Sequence, residues 1–149
     1  MASTGNKRII QASGVVAAIV GALVAREAVA HLFSKSEPNI RSRAYLTQVA
    51  SEANKSAPSM VDKDTELTTM TALDGTFVYN YRLVNYAKAN LDVPKLLSNL
   101  QPVVVKSACT NPATRDTFLK KGVVIRYSYV DKDRAFLTSF DVAEADCAH

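Results

Sequence analysis

Histidine is almost missing from this 149-residue chain: His31 follows an apolar run and His149 is the last residue. Neither position suits a buried triad or a histidine-rich zinc site, which removes serine–histidine hydrolysis and most zinc chemistry. G-x-S-x-G, the phosphate loop and G-x-G-x-x-G are absent as well, so the commonest hydrolase and nucleotide sites have no footing. Cysteine occurs only twice, without a C-x-x-C, and thioredoxin-type catalysis therefore has no support. The 14 acids admit a carboxylate pair in principle, as in a small hydrolase, but nothing singles one pair out. No catalytic residue, metal or cofactor is nominated.

An excess of one charge is also lacking where it would matter. Of 18 basic and 14 acidic residues, three and one lie before residue 34, which leaves 15 and 13 in residues 34–149. Lys7, Arg8 and Arg26 flank the apolar run, opposed there by Glu27. The rest mixes both signs without an arginine-rich face or aromatic–basic motif, so nucleic acid is excluded as a partner.

The strongest feature present is the uncharged run from Ile9 to Ala25, in which only Gln11 and Ser13 are polar. As a helix it would measure roughly 25 Å, the short end of a bilayer crossing. Gly14, Ala18 and Ala22 place small residues on one helix face, a pattern that permits close packing in lipid. Residues 1–33 therefore read as a single-pass transmembrane anchor contacting the bilayer through residues 9–25, followed by a domain over 34–149. The alternative is a signal peptide cleaved near Ala30, after the A-x-A pattern Ala28-Val29-Ala30. Cysteine use favours an oxidising compartment, because Cys109 and Cys147 flank one predicted subdomain and a bond between them persists there. Together with Lys7-Arg8 this predicts an inner-membrane anchor with its domain in the periplasm.

Within the domain, Tyr45, Leu46, Val49, Ala50 and Ala53 fit one face of a helix over 42–56, with Ser42 as cap. Asp62, Asp64 and Glu66 alternate, but the glycine and distal acid of a calcium loop are missing, so they read as solvated charges. Thr65–Ala72, Asp74-Gly75 and Thr76–Val84 form a hairpin pattern. Asp92 caps a helix carrying Val93, Leu96, Leu97 and Leu100, and Pro102 is expected to kink or restart it. Asn111, Pro112 and Gly122 punctuate a last helix. Residues 123–130 and 134–142 then form a second hairpin, with Phe136, Thr138 and Phe140 sharing a side. The expected fold is α+β: a four-stranded antiparallel sheet packed against about three helices.

Tyr79, Tyr81, Tyr127 and Tyr129 occupy matching places in two strands, with Arg82 and Arg126 on the opposite faces. One reading buries the rings beneath the helices. The other exposes Tyr79, Tyr81, Arg82, Arg126, Tyr127 and Tyr129 as a protein-binding surface, since Tyr and Arg are enriched at hot spots. Thr65-x-Leu67, Tyr79-x-Tyr81-x-Leu83, Pro102, Cys109, Gly122-Val123, Tyr127-x-Tyr129-x-Asp131 and Asp146-Cys147 together resemble a widespread group of small bacterial envelope proteins. That group has an N-terminal apolar segment, a disulfide-bearing α+β domain and no assigned activity. The resemblance covers about residues 45–147 and implies fold and location. The resulting expectation is a membrane-anchored, non-enzymatic interaction domain with an envelope protein partner. The alternatives are a small carboxylate-using hydrolase and, if the leader is cleaved, a secreted inhibitor or immunity-type protein.

Fractionation tests the anchor. The full-length protein is expected in membranes, resistant to carbonate and high salt, because apolar burial and not charge would hold it. A released product beginning at His31 would overturn this.

Overall fold

The computed structural model describes residues 38–147. The predicted anchor over 1–33, the cleavage site near Ala30 and both histidines lie outside the described residues. Among the described residues no helix is long and apolar enough to cross a membrane.

The chain enters through a turn that ends in helix α1, Arg43–Ala53. The Ser42 hydroxyl accepts from the Tyr45 N–H and caps the helix. Tyr45, Leu46, Val49, Ala50 and Ala53 are its buried residues, the same five that the sequence periodicity places on one face. After Pro58 a two-residue strand β1, Ser59–Met60, leads into β2, Thr65–Leu73. The Asp74-Gly75 turn returns the chain as β3, Thr76–Leu83, with Gly75 at φ +68°. Helix α2, Val93–Thr110, follows with Asp92 accepting from the Lys95 N–H, and a one-turn helix α3 spans Pro112–Arg115. Strands β4, Val124–Val130, and β5, Phe136–Val142, complete the sheet, and a short 3-10 turn over Glu144–Cys147 ends it.

The sheet corrects the expected four-stranded antiparallel arrangement. It has five strands in sequential order, and β3 pairs with β4 in parallel. Residues 84–123 supply the crossover that parallel neighbours require, so the second hairpin enters from the same end as β3. The fifth strand is β1, whose Ser59 and Met60 pair with Leu67 and Glu66.

Three local expectations change too. Helix α2 runs unbroken through Pro102, because Pro102 and Ser98 both lie on its exposed side, where water can satisfy the carbonyl left without a donor. The predicted helix from Asn111 to Gly122 is only α3 and a 3-10 turn, joined by a bend that buries Phe118. A register shift between Tyr129 and Val130 turns Phe136 outward, leaving it 55% exposed, while Thr138, Phe140 and Val142 stay inside.

One continuous core joins α1, α2 and the inner face of the sheet, with Leu46, Phe77, Leu119, Ile125 and Val142 fully enclosed. Cys109, near the end of α2, bonds Cys147 in the final turn. Their sequence separation is 38, and loop-closure reasoning assigns such a link about 4 kcal/mol. Replacing both with serine is expected to lower the melting temperature markedly, with the 143–149 tail becoming protease-sensitive first. Unchanged stability in that variant would contradict the clamp.

Candidate functional site

Because successive strand residues alternate sides, the parallel register between β3 and β4 sorts the nominated residues onto two faces. Tyr79 pairs with Tyr127 and Tyr81 with Tyr129, all pointing toward the helices. The four tyrosines are between 3% and 6% exposed. This places their rings in the core and corrects the reading that presents them as a binding surface. They form a stacked array: Tyr79 lies 5.6 Å from Tyr127, Tyr81 5.1 Å from Tyr129, and Tyr127 5.6 Å from Phe140. Phe77 and Phe118 extend it, stacked at 5.2 Å. Burial pushes the Tyr79, Tyr81, Tyr127 and Tyr129 phenols above their ordinary range. The neighbouring phenols add to the effect at Tyr81 and Tyr127, and the Asp62 carboxylate adds to it at Tyr129.

Arg82 and Arg126 lie on the outer face, each bound to an acid on a neighbouring strand. Arg82 meets Glu66 through Nε at 2.9 Å and Nη2 at 2.8 Å. Arg126 makes a forked contact with Asp141, at 2.7 Å and 2.9 Å. That contact holds the Asp141 carboxyl below the usual carboxylate range. Around these pairs the outer face carries Thr69, Thr71, Asn80, Ser128 and Ser139. The arginines thus stand on the face opposite the tyrosines, as strand alternation expects, and the six residues form no single surface.

The alternating acids do not converge. Asp62 accepts from the N–H groups of Asp64 and Thr65, Asp64 accepts from the Asn85 amide, and Glu66 faces Arg82. Among the described residues no group of three His, Cys, Asp or Glu side chains could hold a metal.

Two features lay beyond the sequence reading. Asp131 is buried at the start of the β4–β5 turn and accepts from the N–H groups of Lys88, Asp133 and Ala135, bonds that hold its carboxyl below the usual range. It ties the 84–90 loop to the hairpin. The second is a cleft of about 480 Å3 on the outer face, lined by Pro58, Glu66, Thr68, Arg82, Val130 and Arg134, among others. Of that set the sequence pattern marks only Arg82 for binding, because no motif signals a cleft made by irregular pairing of strands.

No protein-family model matches the chain, and no curated protein does. Solved structures do match. A Pseudomonas aeruginosa protein described as secreted is 19% identical with a TM-score of 0.59, covering 76% of this chain and 99% of its own. The type II secretion pilotin EpsS of Vibrio vulnificus is 14% identical with a TM-score of 0.59, covering 72% and 92%. The type II secretion pilotin AspS of Vibrio cholerae is 17% identical with a TM-score of 0.54, covering 70% and 91%. The chain shares their fold.

The buried phenols predict alkaline instability. A phenol whose folded pKa is raised stabilises the fold fully below about pH 10, the unfolded value, and loses that contribution as pH rises toward the folded value. Each contributes a slope of at most about 1.4 kcal/mol per pH unit in that window. Spectrophotometric titration is expected to show these four phenols ionising only together with unfolding. Their smooth ionisation near pH 10 in folded protein would contradict the burial.

Proposed function

We propose that the chain is a non-enzymatic protein-interaction domain of the bacterial cell envelope, held at the membrane through residues 9–25 and bound to another envelope component. The observation that carries this reading is the fold shared with a secreted protein and two type II secretion pilotins over 70–76% of the chain. Pilotins belong to a secretion assembly, and a comparable role here is attendance on such an assembly, not chemistry on a substrate. The Cys109–Cys147 bond suits the same compartment, since disulfides persist outside the reducing cytosol. The inner-membrane anchor is the preferred attachment, and a secreted or periplasmic form cleaved near Ala30 is the alternative reading of the same leader.

Affinity purification of tagged, full-length protein from membranes of its native host tests the proposal. The expected result is stoichiometric recovery of an envelope or secretion component, together with reduced assembly of that component when the gene is deleted. Recovery of the protein alone, with no change in any envelope assembly on deletion, would overturn it.

A further inference from the structure

We propose that the cleft on the outer face of the sheet is a seat for an extended, carboxylate-bearing peptide segment of a partner protein, with Arg134 recognising the carboxylate. This rests on the interaction-domain reading and gives it a site.

Three departures from regular strand geometry border this one cleft. The β2–β3 register shifts between Leu67 and Thr69, and the β4–β5 register shifts between Tyr129 and Val130. Arg134, in the turn after β4, has φ +68° and is the non-glycine residue with positive φ among the described residues. Bulges bend a strand and re-aim its side chains, and they recur beside binding sites. A left-handed backbone at a bulky residue persists only where its surroundings impose it. Here Asp131 imposes it: its carboxylate takes the Asp133 and Ala135 N–H groups, and its carbonyl takes the Arg134 N–H at 3.0 Å. Arg134 is thus presented from a rigid turn.

The charges define the ligand. Arg82 is neutralised by Glu66 across 2.8 Å, whereas the Arg134 guanidinium has no acid or other hydrogen-bond partner among the described residues. The lining therefore carries one net positive charge, suited to a single carboxylate. Pro58 and Val130 give it apolar walls, Thr68 and Thr69 add hydroxyl groups, and the exposed ring of Phe136 stands opposite Val130 in register. From Pro58, just before β1, to Val130 of β4 the cleft crosses about three strand spacings, about 15 Å, the length of four or five extended residues. A phosphomonoester fits less well, because Glu66 would repel its second charge; a singly charged phosphodiester headgroup is separated by the vesicle arm of the test.

Fluorescence anisotropy on the full-length protein in detergent provides the test. The probes are two acetylated, amidated six-residue peptides of serine and valine, one with a central Asp and one with Asn in its place. The Asp peptide is expected to bind about tenfold more tightly, the discrimination appropriate to one charge-assisted contact. Arg134→Gly should erase that difference without lowering the melting temperature, since glycine adopts positive φ freely. Arg126→Ala, elsewhere on the same face, should leave it intact. Equal binding of the two peptides, binding of neither, or discrimination surviving Arg134→Gly would overturn the inference. So would Arg134-dependent binding of phosphatidylglycerol vesicles without peptide discrimination, which would assign the cleft to lipid. If any of these occurs while the Arg134→Gly protein still copurifies with its envelope partner, the inference falls and the interaction-domain reading stands.

Discussion

The parallel pairing of β3 with β4 is the constraint on which the remaining architecture depends. It runs in register from Thr76 opposite Val124 to Arg82 opposite Val130, at the centre of the sheet. Parallel neighbours need a long connection, and that requirement fixes the place of α2 and α3 as the crossover. The same register sets Tyr79 beside Tyr127 and Tyr81 beside Tyr129, so four large rings meet on one face. Aromatic side chains remove more area from water than other residues, and this array supplies much of a small core.

What surrounds that centre is closed by polar groups with specific jobs. The Asn54 side chain accepts from the Met70 N–H and donates to the Met70 carbonyl, standing in for a neighbouring strand where β1 has already ended. An open edge would otherwise invite pairing with another chain. Asp131 does comparable work just past the C-terminal end of β4, joining a loop to a hairpin. The disulfide then secures the final turn against α2. Each device ties together parts of the chain that are distant in sequence, where hydrophobic contact alone leaves the geometry loose.

The two faces of the sheet therefore differ in what they are free to do. The inner face is occupied by the core, and its tyrosines act through packing. The outer face holds two ion pairs, a row of hydroxyl and amide side chains, and the cleft beside Arg134. It is the face with chemistry to offer a partner, although the aromatic pattern of the sequence directs attention to the other one.

The sequence by itself determined the local elements. Ser42, Asp92 and Asn111 cap helices, Asp74-Gly75 turns a hairpin, Gly122 takes a left-handed conformation, and the five buried residues of α1 follow from their spacing. Such features depend on a residue and its near neighbours, and the sequence contains both. That Arg82 and Arg126 oppose the tyrosines was legible for the same reason. Which face turns inward was not, because a period of two has no sign. The parallel register, the short strand β1, the outward turn of Phe136 and the cleft at Arg134 were decided only by the tertiary structure. Each of these arises where strands far apart in the chain meet, and no stretch of sequence contains both partners.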